Sequence, residues 1–365
     1  MESANDTIET LNTVEFEVPY LTFVCILGII GNAIVLLVYT RQPFRKSNAT
    51  LYILNLAVGD FMTITVVLFH ITEFFPVTWP ILWAHDWQCA VHRYFRFVVF
   101  INTVVTMMAI GVDRYYAVRK PMVFKLKFSL KRTKLLIVTL WCLALVAALP
   151  TALMFQSFYA NEEEKSNYVG KSPFACTLSL PFGPWFKDFK AIYLNVVLFF
   201  IPVTITGYLF TSIVGYVWQN NREINVRFSD TSRSVRNSHW TTAKSLLAVF
   251  VVFLVCYCPF SIYNLVQRYI PNLLPAIVKN VALLLPYANS CMNPVVYSFT
   301  SVRFRRYCAR LLLPFIAKTT SNLQHAFASG HSGSQKSDER HDHNVAYVFE
   351  PKKYNMDTKA DVQQL

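Results

Sequence analysis

The side chains in this chain that are equipped for chemistry sit mostly inside apolar stretches. Asp60 follows Asn55-Leu56-Ala57-Val58-Gly59, Asp113-Arg114-Tyr115 closes a later stretch, and Asn293-Pro294-Val295-Val296-Tyr297 lies within the last. Ionisable groups in such surroundings are costly, so each calls for a function. Arg114 cannot shed its charge, and Asp113 beside it can hold it inward until another partner offers better contacts. Asp60, with Asn32, Thr103, Asn289, Ser290 and Asn293, gathers hard oxygen atoms suited to water or a small cation. Arg93 and Arg96 are one helical turn apart, with His70 and Glu73 at the end of the preceding stretch. Near Phe260 and Tyr287, the two arginines suit an anionic or amide-rich group. Alternatively, Arg93 reaches outward and Arg96 pairs with Glu73. Catalysis would need a paired His or Ser-His set, and His70 and His92 are too isolated in the sequence to supply one. The other histidines lie in loops, at an inner edge or in the tail, where His325, His331, His341 and His343 read as solvated disorder. The chain is therefore expected to have no catalytic residues.

The elements that position these residues are membrane spans. The composition is 54% hydrophobic and only 15% charged, against roughly 25% charged in soluble domains. Val18–Thr40 holds no charged residue in 23 positions, enough to cross ~30 Å of hydrocarbon at ~1.5 Å per residue. Similar stretches follow at 50–75, 89–117, 133–157, 190–218, 241–267 and 275–299. Seven in succession have only lipid to bury them, which predicts an all-α membrane protein, a seven-helix bundle. The first stretch follows acidic residues (Glu2, Asp6, Glu9, Glu15, Glu17) rather than basic ones, so it reads as a span and not as a secretory signal.

Loop charges orient the bundle. The first 40 residues carry no Lys or Arg, whereas alternate loops carry Arg41, Arg45 and Lys46, then Arg119 to Lys134, then Arg222 to Lys244, and finally Arg303 to Arg310. This predicts an extracellular amino terminus and a cytosolic carboxyl terminus. It also accounts for the net charge of +13 without nucleic acid, since the cations would meet anionic lipid and a cytosolic partner. The expected organisation is an extracellular tail (1–17), the bundle (18–300), an amphipathic helix on the membrane (301–315) and a disordered cytoplasmic tail (316–365). Asn5-Asp6-Thr7 is a glycosylation sequon on the outer side, while Asn48-Ala49-Thr50 faces inward and reads as a chance match. Cys89 and Cys176 both face an oxidising compartment and can pair. Cys308, among basic residues after the last span, suits palmitoylation.

The order, spacing and depth of the three polar motifs resemble those of rhodopsin-like G-protein-coupled receptors over residues 18–310. Gly31-Asn32, Trp141, Pro150, Pro202, Phe253 and Pro259 also fall at family positions. The resemblance implies a disulfide from Cys89 to Cys176 and a water-filled cluster about Asp60 that often holds sodium. It implies opening of a cytosolic cleft about Pro259, and coupling to a heterotrimeric G protein through Asp113, Arg114, Tyr115, Tyr297 and the apolar Met122. No cofactor beyond an allosteric sodium ion is implied. The sequence departs from the family at Tyr257, where a Trp is common, and at Phe210, where a Tyr usually meets Tyr297 through water.

Arg96 stands where amine receptors carry an aspartate, which argues against a monoamine. Tyr287 stands where opsins carry the retinal-linking lysine. The ligand pocket is expected to use Arg93, Arg96, His70, Glu73, Tyr257, Phe260, Asn264 and Tyr287 beneath a mouth of Trp79, Trp83, Trp87, Tyr263, Gln267 and Arg268. Such a mouth resembles the peptide and neuropeptide receptors, so an extracellular peptide is expected, with a small carboxylate or lipid as the alternative. A transporter is disfavoured because no inverted repeat is visible. In the tail, Ser329, Ser332, Ser334 and Ser337 precede Asp338 and Glu339, and phosphates there would suit an arrestin.

Overall fold

The computed structural model describes residues 2–41, 47–75, 85–159, 174–178, 182–227, 230–271, 273–302 and 304–310, without side chains for 2–15, 156–175, 177–178, 220–239 and 276. The helices are α1 (Glu2–Tyr39), α2 (Asn48–Thr72), α3 (Asp86–Arg119), α4 (Pro121–Lys127) and α5 (Leu130–Ala152), followed by strands β1 (Phe155–Tyr159) and β2 (Phe174–Leu178). Next come α6 (Trp185–Ala191), a π-helical segment (Ile192–Phe200), α7 (Ile201–Arg227), α8 (Asp230–Tyr269) and α9 (Ala276–Thr300). Six helical stretches among the described residues are long and apolar enough to cross a membrane: Phe16–Tyr39, α2, α3, α5, Trp185–Gln219 and Trp240–Tyr269. The seventh, α9, has the length at 25 residues. Its apolarity is diluted by Asn289, Ser290 and Asn293, which face the protein interior.

Local sequence explains the boundaries. His85 and Gln88 cap the start of α3 reciprocally, the Gln88 Oε1 accepting from the His85 amide at 2.9 Å. Ser129 caps α5 through its hydroxyl, which accepts from the Arg132 amide at 3.3 Å. Pro121 holds Lys120 out of helical geometry, ending α3, and then starts α4 at its first turn. Pro202 has no N–H to donate, and the wide π turn just before it accommodates the break. Pro150, Pro259, Pro286 and Pro294 lie inside helices.

Close packing fixes α1 against its neighbours. A Cβ on Gly28 would stand 2.7 Å from the Ile64 Cδ1, and one on Gly31 would stand 2.7 Å from the Pro294 Cγ. Small residues there let α1 approach α2 and α9. Buried polar bonds complete the bundle. Asn32 donates to the Ser290 carbonyl (2.7 Å), Asn55 donates to Thr106 (2.9 Å), and Trp141 donates to Asn55 (2.8 Å). Large apolar side chains such as Phe23, Ile30, Val146 and Val255 point outward, an arrangement that lipid, not water, accommodates.

Three sequence expectations meet a more detailed chain. The backbone of residues 2–17, expected as a tail, is helical and continuous with the first span. The bundle is not purely helical, since β1 and β2 pair antiparallel with Phe155 opposite Leu178 and Ser157 opposite Cys176. Within the expected amphipathic helix, residues 304–310 are helical, and 311–315 lie outside the described residues. So do the tail serines, Trp79 and Trp83, and the Asn5 side chain. Residues 1–306 form one compact unit, and Tyr307 begins another.

Candidate functional site

At one end of the bundle, the disulfide joins Cys89 on α3 to Cys176 on β2. The strand pair is thereby fixed beside a cavity of about 260 Å³. Its walls come from α3 (Arg93, Arg96), α6 (Lys187, Lys190), the π segment (Asn195) and α8 (Phe260, Asn264). Arg93 and Arg96 share a face of α3 because they are three residues apart. The Arg93 Nε donates to the Cys176 Sγ at 3.3 Å, and its guanidinium lies 5.6 Å from the Phe155 ring centroid. Lys190 approaches the same ring at 5.4 Å. Arg268 forms a bidentate pair with Asp188, both contacts at 2.9 Å.

Beneath it is a smaller cavity of about 40 Å³ that includes Thr63, Tyr257, Pro286 and Tyr287. Arg96, Phe97, Phe100 and Phe260 line both, so Arg96 stands at the division between the two. Its guanidinium lies 5.1 Å from the Tyr287 ring centroid. Tyr257 contacts Phe253 (4.8 Å between centroids) and Phe100 (5.2 Å), continuing the aromatic floor downward. Of the expected pocket residues, Arg93, Arg96, Phe260 and Asn264 line the larger cavity, and Tyr257 and Tyr287 the smaller.

His70 and Glu73 line neither cavity; they stand behind Arg93. Glu73, just beyond the end of α2, lies 3.2 Å from the His70 Nδ1, 3.8 Å from Arg93 and 3.9 Å from the His92 Nδ1. Burial would raise the Glu73 carboxyl, but His70, Arg93 and His92 together hold it at about 2, below its ordinary 4.5. Arg93, and not Arg96, is therefore the arginine that pairs with Glu73. His70 and His92, which look isolated in the sequence, converge on one carboxylate. His70 also stacks on Tyr287 at 5.7 Å.

In the middle of the bundle the Asp60 carboxylate is buried and accepts a hydrogen bond from Asn293 at 2.9 Å. Around it the Oδ1 atoms of Asn32, Asn102, Asn289 and Asn293 are buried without a hydrogen-bond partner among the described residues. Thr103 donates to the Val99 carbonyl at 2.9 Å, which leaves its oxygen able to accept. Ser290 is buried in the same helix as Asn289 and Asn293. Asn102 is wholly buried with neither amide atom bonded to any described residue, and the sequence reading missed it. Its signal was available, namely a polar residue adjacent to Thr103 inside a span. Among the described residues no three His, Cys, Asp or Glu side chains cluster as a metal site.

At the opposite end, Asp113 and Arg114 are buried and bonded to each other, with the Arg114 Nε to Asp113 Oδ2 distance at 2.9 Å. Asn48 donates to Asp113 at 3.4 Å and to the Phe128 carbonyl at 3.3 Å. Arg119 bonds to Ser212 on α7 and lies 5.3 Å from both the Tyr115 and Tyr216 ring centroids. Met122 on α4 is 73% exposed, and α4 buries no residue. Tyr297 is buried against Tyr39 and Phe304, and among the described residues its hydroxyl has no partner. Phe210 stacks on Phe250 at 5.4 Å and brings no hydroxyl that could answer it.

Comparison with known proteins matches residues 31–297 to the 7 transmembrane receptor (rhodopsin family) model. The chain is 30% identical over 288 residues to the allatostatin-A receptor of Bombyx mori, covering 78% of this chain and 75% of that one. It is 31% identical over 292 residues to somatostatin receptor type 4 of Rattus norvegicus, covering 79% and 70%. With somatostatin receptor type 2 of Mus musculus it shares 30% identity, covering 78% and 73%.

Proposed function

The chain belongs to the rhodopsin family of seven-transmembrane receptors, and from that premise we propose that it is activated by a secreted peptide. As a member of this family it is a multi-pass membrane G-protein-coupled receptor and not an enzyme. The peptide reading is carried by one observation. Relatives named for the peptides allatostatin and somatostatin align over more than three quarters of the chain, a share that must include spans lining the 260 Å³ cavity. The disulfide end faces outward in this reading, at the plasma membrane, because the Lys- and Arg-rich loops lie at the other end. A peptide segment would enter beside the β1–β2 pair and reach Arg96.

The remaining parts of the reading concern the middle and inner end. Asp113, Arg114, Tyr115, Met122 and Tyr297 form the G-protein-facing set, supported by the buried ion pair and by the exposure of Met122. The Asp60 cluster binds sodium. Orphaned oxygens of Asn32, Asn102, Asn289 and Asn293 around a buried carboxylate fit a hard cation, with Thr103 and Ser290 adding hydroxyls. A bound sodium would supply Asp60 with the counter-charge that the described residues do not. Asn5 is glycosylated, Cys308 (a free, half-buried thiol) is palmitoylated against membrane lipid, and the tail serines recruit arrestin.

The test is a G-protein dissociation assay in cells expressing the receptor, challenged with pooled secreted peptides and, in parallel, small carboxylates and lipids. Activation by a purified peptide at submicromolar concentration is expected. Response to the carboxylate or lipid pools alone would replace the peptide reading with the alternative that the cationic cavity also favours.

A further inference from the structure

The larger cavity has an excess of positive charge that the described residues do not neutralise. Five cationic side chains line it: Arg93, Arg96, Lys187, Lys190 and Arg268. Arg93 is matched by Glu73 and Arg268 by Asp188. Among the described residues, Arg96, Lys187 and Lys190 form no ion pair, and none of their side-chain N–H groups has a hydrogen-bond acceptor. The rings they approach, Tyr287 for Arg96 and Phe155 for Lys190, offer a negative face but no lone pair. Three like charges around one partly enclosed cavity repel one another more than they would in water, because the low dielectric screens them less. Arg96 and Lys190 are half-buried and Lys187 is exposed, so their donors are open to whatever enters the cavity.

We propose that the ligand presents an anionic oxygen group, a carboxylate or sulfate, to a seat formed by Arg96, Lys190 and Lys187. This rests on the receptor reading given above and specifies the chemistry its site accepts. Arg96 offers a planar fork of donors at the cavity floor, suited to two oxygens of one anion. Lys190 and Lys187, three residues apart on α6, face it from across the cavity as point charges. The Arg93–Glu73 and Arg268–Asp188 pairs are already satisfied and bound the seat without competing for the anion. An amidated, uncharged or cationic segment would leave all three cations unanswered. In a peptide the anion has two sources, the terminal carboxylate or an acidic or sulfated side chain.

The full-length receptor in lipid nanodiscs is exposed to a synthetic peptide pool, and retained members are counted by mass spectrometry. Each core sequence is present as a free acid, as an amide, and as an amide carrying one internal Glu or sulfotyrosine. A second pool contains small mono- and dicarboxylates. Enrichment of anion-bearing forms over plain amides by about tenfold or more is expected, with the free-acid and internal-anion arms identifying the source. Lys190→Gln and Arg96→Gln should each remove most of that enrichment, while Arg96→Lys keeps part of it, which separates loss of charge from loss of fold. Retention of plain amides as strongly as acids overturns the anionic seat and leaves the peptide reading standing. Retention of small carboxylates alone supports the seat and overturns the peptide reading. Retention of nothing from either pool, or enrichment unchanged in Lys190→Gln and Arg96→Gln, overturns the seat.

Discussion

Glu73→Gln should destabilise the bundle by an amount that the geometry of its surroundings sets. The Glu73 carboxylate lies 3.8 Å from the Arg93 guanidinium, an attraction of about 4 kcal/mol at an effective dielectric near 20. Dehydration of both groups offsets a large part of this, leaving about 2 kcal/mol for a close but not hydrogen-bonded ion pair. The amide would leave Arg93 facing Lys190 and Arg96 with no carboxylate, so the midpoint of thermal unfolding should fall by about 5 °C. A thiol-reactive dye reads this directly, since Cys25, Cys256 and Cys291 are buried until the helices separate. Arg93→Gln in the same chain should recover part of the loss, because removing both partners leaves no unpaired charge. The pH dependence has a definite sign. A carboxylate held at about 2 against an ordinary 4.5 contributes stability that is complete above its ordinary value and lost only as pH falls through the lower one. Between roughly pH 5 and 8 the wild-type midpoint should therefore show no step from Glu73. An unchanged midpoint in Glu73→Gln, or a double variant worse than the sum of the single ones, would refute the view of Glu73 as the anchor of Arg93.

Other measurements address the remaining sites. Cys89→Ser or Cys176→Ser should lower surface expression and ligand binding together, and finding both thiols free in non-reduced peptide maps of the wild type would remove the basis for this. Asp60→Asn should abolish the sodium dependence of agonist affinity; wild-type affinity indifferent to replacing sodium with an organic cation would mean that the cluster holds water only. Met122→Asp should weaken G-protein activation by tenfold or more, about 1.4 kcal/mol, without changing ligand affinity, and normal coupling would exclude α4 from the contact. Replacing Ser332, Ser334 and Ser337 with Ala should slow arrestin recruitment but not the first G-protein response, whereas normal recruitment by a chain ending at Phe327 would move the phosphates to Thr319, Thr320 and Ser321.

Those parts of the molecule governed by local pattern were legible in the sequence, and those governed by side-chain convergence were less so. Runs of apolar residues give the spans because lipid leaves a backbone no choice but helix. Asp60, Asp113 and Arg114 announce themselves because a charge in an apolar run has no neutral explanation. The strand pair between α5 and α6 was not legible, because its two strands are separated by 14 residues of chain and short strands of this kind carry no periodic signal long enough to read. Glu73 and the two histidines illustrate the limit more sharply. His70 and His92 are on different helices, and only the packing of α2 against α3 brings both to one carboxylate. That convergence then decides the arginine pairing. Glu73 pairs with Arg93 and Arg96 is left to the cavity, an arrangement that neither of the options left open by spacing had described. Lys187 and Lys190 carry no sequence signal for the opposite reason. They are ordinary charges near the end of a span, where lysine normally reaches for water, and only the cavity wall shows that these two face Arg96. A cation's meaning in this fold thus depends on whether a carboxylate is within reach, and sequence spacing reports that poorly between helices. The buried amide of Asn102 follows the same logic. A polar residue within a span was visible beside Thr103, but its lack of a partner among the described residues is a property of the packed core. That absence, with the orphaned oxygens of Asn32, Asn289 and Asn293, is what turns a list of polar residues into a candidate site for an ion or for water.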